Sequence, residues 1–408
     1  MDDDIVKVAA AGADERPLLI RAYGRDRPRL TSELLGLLGQ AGAVVEDMEQ
    51  LVVRERLTLD VLVRLGQADD ALVRDILYWG FTHDLRVEFE HVEARSRRAS
   101  LVRHAVTVLG RPLTASALAA VADAVAGTGG NIDRVVRLAT DPVTAYDLVV
   151  IAGDVEAMRH RLVEVARDHG IDVAVQVNGL ERRAKRLVVM DVDSTLIVDE
   201  VIELLAEEAG RLAEVAATTA RAMAGELDFE GSLRERVRLL AGLDEAALER
   251  VRRRIRLTPG ARTFVSTLQR LGFTVAIVSG GFTPFTDWLR DDLGLDYAYA
   301  NGLVVRDGRL TGELVGPVVD RAGKARLLTE IAAAEGVPLS QTVAVGDGAN
   351  DLDMLATAGL GIAFNAKPVV RAQADTTVSV PYLDAILFLL GIRGADVDRV
   401  EEPAATPS

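Results

Sequence analysis

"VVMDVDSTLIVDE", residues 188–200, opens as an apolar run and ends with four carboxylates within ten positions: Asp191, Asp193, Asp199 and Glu200. A short strand that is apolar throughout is expected in a parallel sheet covered on both faces. Acids crowded at its C-terminal end are electrostatically costly unless something neutralises them. Three more such runs follow, "FTVAIVSGG", "TVAVGDG" and "LGIAF", each separated by amphipathic helical stretches. The pattern predicts an α/β, Rossmann-like parallel sheet over 185–392, with a long helical insertion at about 200–270 between the first two strands. In an open sheet of this kind, ligands meet the C-terminal ends of the strands.

The chain has 408 residues, room for two or three domains. Hydrophobic residues make up 49% and charged residues 27%, a globular balance. The longest candidate for a membrane span, "AILFLLGI", is far too short. The acidic start "MDDDIVKVAA" lacks the positive beginning of a secretory signal, and with no cysteine in the chain a cytoplasmic location is the default. A net charge of −15 argues against nucleic acid or an anionic membrane as a partner. It also means that any anionic substrate needs a local cationic site. None of the five histidines lies after residue 169, so the C-terminal half has no His- or Cys-based catalysis to offer. Lysine occurs only at 7, 185, 324 and 367 among 47 basic residues, which makes each one worth a question.

The first 180 residues hold a weak internal repeat. Residues 16–92 and 101–178 each read strand, helix, strand, strand, helix, strand, joined by the polar "EARSRRAS". Gly24 and Gly110 mark the same turn after the first strand, and Asp60 and Asp147 the same point of the third. This βαββαβ pattern resembles the ACT domain, a small amino-acid-sensing module. A plainer reading is a pair of ferredoxin-like α+β domains serving as an oligomerisation platform. The last residues, 396–408, read as a disordered tail.

Four sites fall at strand ends or in a following helix: "DVDST" (191–195), "VSGG" (278–281), Lys324 in "DRAGKARLL", and "GDGANDLDM" (346–354). Singly each has a plain alternative: a helix cap for Asp191, a turn for "GDGAND", a solvated face for Lys324. A Ca2+ loop of the EF-hand kind fails because Leu196 and Ile202 stand where Gly and an acid are required. Together, in this order, they resemble the haloacid dehalogenase-like phosphohydrolases across 185–392. A receiver domain would lack the Asp-x-Asp-x-Thr pattern and the insertion, and a P-type pump would need membrane spans.

The chemistry of that resemblance is coherent. An anionic carboxylate attacking a phosphate needs a cation to suppress repulsion, and Mg2+ between Asp191 and Asp347 would serve. Asp193, two positions on, suits a general acid for the leaving group. Ser279 and the amides after it offer donors to phosphate oxygens, and Lys324 adds a point charge.

The insertion, "DSTLIVDEVIELLAEEAG" through "ELDFEGSLRERVRLLAGL", is similar to that of the phosphoserine phosphatase family, as are "LDYAYANGL" and "DGRLTGELVGPVVDRAGKA". The resemblance implies hydrolysis of O-phospho-L-serine through an aspartyl-phosphate, the last step of serine biosynthesis. It implies Asp191 as nucleophile and Asp193 as acid/base, with Asp191, the Asp193 carbonyl and Asp347 as Mg2+ ligands and Asp351 behind them. Glu200 would receive the substrate ammonium and Arg236 its carboxylate. Met223 and Phe229 would close the cap, and Ser279, Gly280, Lys324 and Asn350 would hold the phosphate. Left open are a phosphotransferase or phosphoprotein phosphatase of the same chemistry, and a non-catalytic amino-acid sensor. The ACT-like pair implies an amino-acid effector, serine, and a homo-oligomer, with a dimer favoured.

Overall fold

The structure, a computed structural model, describes residues 17–65, 70–92, 102–151, 153–179, 182, 184–374 and 376–398. The chain divides into two compact units, one up to residue 100 and one from residue 101 onward.

In the first unit β1 (Leu18–Arg25), α1 (Leu30–Gln40), β2 (Val44–Val53), β3 (Arg56–Arg64), α2 (Asp70–Thr82) and β4 (Leu85–His91) form an antiparallel sheet of order β2-β3-β1-β4. Alternation puts Ile20, Ala22, Leu59 and Val61 on the face packed against Leu34, Leu38 and Ile76 of the helices. On the other face Arg21 stands opposite Asp60 and bonds it at 3.2 Å.

The repeat recurs in the second unit as β5 (Arg103–Gly110), α3 (Ala115–Ala126), β6 (Asn131–Ala139), β7 (Thr144–Ile151), α4 (Val155–His169) and β8 (Asp172–Val177), in the order β6-β7-β5-β8. Helix α4 starts where Asp154 accepts from the N–H groups of Glu156 and Ala157, and stops at Gly170 with φ 61°. Thr107 and Asp147 occupy the positions of Arg21 and Asp60, but this face is covered. Leu109, Leu138, Ala139, Val143 and Ala145 share one continuous core with Leu383, Ile386, Phe388 and Leu389 near the end of the chain. Arg182 is buried there. It donates to both carboxylate oxygens of Asp147 (2.8 and 3.1 Å), to Thr107 Oγ1 (2.9 Å) and to the Leu389 carbonyl (3.3 Å). Gln176 donates to the same carbonyl at 2.9 Å.

The third sheet has the order β12-β11-β10-β9-β13-β14-β15. Its strands are β9 (Leu187–Met190), β10 (Thr274–Phe282), β11 (Tyr297–Arg306), β12 (Arg309–Val315), β13 (Thr342–Gly346), β14 (Gly361–Phe364) and β15 (Thr376–Val378). All pairings are parallel except the β11–β12 hairpin at one edge. The insertion carries α5 (Val201–Glu208), α6 (Leu212–Met223), α7 (Phe229–Arg238) and α8 (Ala246–Arg252). Its neck is an isolated antiparallel bridge between Ile197 and Leu257. Helix α9 (Ala261–Arg270), placed inside the 200–270 insertion by the sequence pattern, therefore lies beyond the neck and belongs to the sheet's helical layer. It buries Phe264, Val265 and Leu268 there, a stripe one helical face wide.

Helices α10 (Thr283–Leu293), α11 (Arg321–Ala334), α12 (Leu352–Thr357), α13 (Pro368–Arg371) and α14 (Ile386–Leu389) complete the unit. Of the expected tail, Asp396 and Asp398 are held by Arg270, and 399–408 lie outside the described residues. Among the described residues no helix is long and apolar enough to cross a membrane.

Candidate active site

Strand β9 is buried along its whole length and delivers Asp191 to the C-terminal edge of the sheet. Ser194 then takes a left-handed conformation, φ 58°, and turns the chain out toward the neck. The result is a compact loop with its acids facing different ways.

Asp191 is 4% exposed, and its Oδ1 accepts from the Val192 N–H at 2.7 Å and from Lys324 Nζ at 2.8 Å. Burial, and then the charge of Asp351, hold its carboxyl well above the usual carboxylate range. Lys324 is wholly buried, one turn into α11, and also reaches Asp351 Oδ1 at 2.6 Å. Burial alone would push its ammonium down, but Asp191 and Asp351 outweigh that and raise it. Asp351 is fixed in turn by the Gly348 N–H at 2.9 Å. A Cβ at Gly346 would lie 2.5 Å from the Asp351 carboxyl carbon, so only glycine lets β13 pass this close.

The carboxylate oxygens of Asp191, Asp347 and Asp351 can converge within 4.8 Å, the one such cluster among the described residues. Burial, then Asp351 and Glu200, push Asp347 up to about 7. Two acids, one buried and one half-buried, raised by burial and then by neighbouring carboxylates, are a donor set short of positive charge. All three ligand atoms are hard oxygens, the kind Mg2+ prefers, so the residues fit the ion expected from the sequence.

Asp193 has its hydrogen-bond partners outside this cluster. Its Oδ1 accepts from the Val201 N–H at 2.8 Å and its Oδ2 from Ser279 Oγ at 3.2 Å. Burial, followed by the charge of Glu200, pushes its carboxyl up to about 6. Glu200 accepts from Ser194 Oγ at 2.8 Å. Arg236 on α7 is half-buried and makes no ion pair with a described residue. Burial lowers its guanidinium, while the charges of Glu200 and Asp193 oppose that.

Strand β10 carries Ser279, Gly280 and Gly281 just before its last residue, Phe282. A Cβ on Gly280 would stand 3.0 Å from the Phe229 ring, so the cap lies directly over this loop. The Gly281 N–H donates to Ser279 Oγ at 2.7 Å. Asn350 sits beside Gly348, its amide oxygen in the space a Cβ there would need. Met223 ends α6, but its side chain lies outside the described residues.

Several residues that the sequence left without a part are in the site's frame. Asp199 accepts from the Arg256 N–H (2.8 Å) and from its guanidinium (2.7 Å), locking the neck. Thr258 Oγ1 donates to the Thr195 carbonyl at 2.7 Å, stitching the neck to the loop after Asp191. Asn301 holds the "VSGG" loop from behind. None carries a motif, since each partner is distant in sequence.

Residues 188–356 match the haloacid dehalogenase-like hydrolase family model, and 16–90 and 102–176 each match an ACT domain. The chain is 53% identical over 396 residues to a phosphoserine phosphatase of Streptomyces coelicolor, covering 96% of each. It is 47% identical over 395 residues to a phosphoserine phosphatase of Mycobacterium tuberculosis, covering 94% of this chain and 95% of that one. Among solved structures, a probable phosphoserine phosphatase from Vibrio cholerae, in unliganded form, superposes with a TM-score of 0.57 at 37% identity. That match covers 70% of this chain and 86% of the other.

Proposed function

The chain belongs to the phosphoserine phosphatase family of haloacid dehalogenase-like hydrolases, with two ACT domains, and on that footing we propose that it hydrolyses O-phospho-L-serine to L-serine and phosphate. The observation that carries the proposal is the pairing of two differently placed acids at one strand end. Asp191 has its Oδ1 tied to Lys324 and the Val192 N–H and its other oxygen untied among the described residues, while Asp193 is tuned to about 6 beside Ser279.

In the first step the untied Asp191 oxygen attacks phosphorus in line, and the bond to the serine oxygen breaks. Asp193 gives its proton to that oxygen, which leaves as the serine hydroxyl. In the second step Asp193 takes a proton from water, whose oxygen displaces Asp191 from phosphorus. A carboxyl near 6 is suited to both directions of transfer at neutral pH. Ser279, Gly280, Lys324 and Asn350 hold the phosphoryl group. Glu200 meets the substrate ammonium, and Arg236, whose Nε donates to the Ser232 carbonyl at 3.4 Å but which pairs with no carboxylate of a described residue, binds the substrate carboxylate in a bidentate fork. Phe229 and Met223 shut the cap over the substrate, excluding bulk water.

Mg2+ held by Asp191, Asp347 and the Asp193 carbonyl, with Asp351 behind them, would supply the positive charge that lets Asp191 approach an anionic phosphate. The ACT domains support binding of an amino acid, with serine the effector and a dimer the assembly we infer.

The test is phosphate release from a panel of phosphomonoesters. Phosphoserine is the preferred substrate, and activity is lost in Asp191→Asn and on chelation, returning with Mg2+. Equal turnover of unrelated sugar phosphates, or none of phosphoserine, overturns the substrate assignment.

A further inference from the structure

Asn301, on β11, is 2% exposed, and its amide is fully engaged between two segments of the site. Its Nδ2 donates to the carbonyls of Gly280 (2.8 Å) and Gly281 (3.2 Å). Its Oδ1 accepts from the Val319 N–H at 2.8 Å. Two donors and an acceptor in a buried amide therefore all have partners.

The first bond has a directional consequence. In a trans peptide the C=O and N–H point to opposite sides. Drawing the Gly280 carbonyl toward Asn301 therefore turns the Gly281 N–H the other way, toward Ser279 Oγ, which it meets at 2.7 Å. A Cβ at Gly281 would lie 2.9 Å from Asp193 Oδ2, so this amide borders the reacting groups. Glycine leaves the peptide free to rotate, and an outside bond is needed to fix it. The Val319 bond adds a second restraint. Val319 precedes Asp320, which caps α11 by accepting from the Gly323 N–H at 2.7 Å, and whose carbonyl accepts from the Lys324 N–H at 2.9 Å.

We propose that Asn301 is a positioning residue: its buried amide sets the direction of the Gly281 N–H, which fixes Ser279 Oγ, and keeps the 279–281 loop in step with the helix that carries Lys324, so that the phosphoryl oxygens meet Ser279 and Lys324 preoriented. The proposal rests on the reading that the phosphoryl group sits against Ser279 and Gly280. Asn301 itself touches no substrate.

The experiment compares wild type, Asn301→Ala and Asn301→Ser with Ile331→Val, a core change in α11 away from the site, as a stability control. Binding of inorganic phosphate to the full chain with Mg2+ is followed by calorimetry, alongside kcat, KM and melting temperature. A misdirected oxyanion donor is expected to cost about 10-fold or more in kcat and a similar factor in phosphate affinity. Asn301→Ser, which keeps one donor, lies between wild type and Asn301→Ala. The Ile331→Val control melts lower but binds phosphate as wild type does. Phosphate affinity and kcat within twofold of wild type in a folded Asn301 variant overturn the proposal, as does a loss that tracks melting temperature across all variants including Ile331→Val. If Asn301→Ala does not fold, Asn301→Ser decides by the same ratios. A wild type that binds phosphate but leaves phosphoserine intact would overturn the substrate reading alone.

Discussion

Lys324 is the residue on which the site's charge balance turns. It is fully buried between Asp191 and Asp351, where an unpaired ion would cost several kcal/mol. Lys324→Met keeps the volume and leaves two buried carboxylates facing each other. In metal-free protein that variant should lose about 3 kcal/mol of stability by denaturant titration. With Mg2+ present it should still lose turnover by at least about 100-fold, the scale of removing one charge-stabilising donor. Full activity in Lys324→Met would show that the lysine serves the fold and not the chemistry. In the sequence Lys324 drew notice because lysine is rare in an Arg-rich chain. Its burial and its second partner, Asp351, depend on α11 packing against the 349–351 turn and α12 that follow β13.

At the scale of elements, the neck of the cap shows how short-range and long-range information divide. The strand at 188–190, the acids after it and the helical insertion were legible from apolar periodicity alone. The end of the insertion was not, because α9 has the same helical pattern as the cap helices and differs only in what it packs against. Asp199 closes the neck through the Arg256 backbone N–H as well as its guanidinium. Asp199→Ala removes both bonds and should cost about 1–2 kcal/mol, within the range for charge-assisted bonds. Arg256→Ala keeps the backbone bond and should cost about 0.5 kcal/mol, the worth of an exposed ion pair. Equal losses in the two variants, measured by chemical unfolding, would contradict this division.

A second element-scale contact joins β8 to the segment after β15. Asp172 is 3% exposed; its Oδ2 accepts from the Ser379 N–H at 2.7 Å, while Oδ1 has no hydrogen-bond partner among the described residues. Burial is the largest cause of its raised carboxyl. The folded state thus keeps this proton at pH values where the unfolded chain has released it, and stability falls as pH rises from the ordinary carboxylate value through the raised one. Asp172→Asn removes that loss, so its melting temperature should exceed that of wild type at about pH 8, with the gap shrinking toward about pH 4. A gap independent of pH would show that the carboxyl is not the cause.

For the whole molecule, the two ACT domains share one strand order and differ in their situations. The sheet face of the first carries the half-buried pair Arg21–Asp60, whereas in the second the matching face is covered and Asp147 is taken by the buried Arg182. A chain beginning at 102 should therefore fold and keep phosphatase activity. One beginning at 184 loses Arg182 and bares Leu383, Ile386, Phe388 and Leu389, and it should aggregate or melt well below the longer fragment. Light scattering and melting of the two fragments test this, and equal behaviour would refute it. By itself the sequence determined the strand and helix periods, the ACT repeat and the residue types of the site, because these are local patterns with a fixed chemistry. Only the tertiary structure decided which sheet face is solvent-exposed, where the cap ends, and which distant side chains such as Asn301 and Arg182 brace the site and the core. Those depend on which surfaces meet, and no local period encodes that.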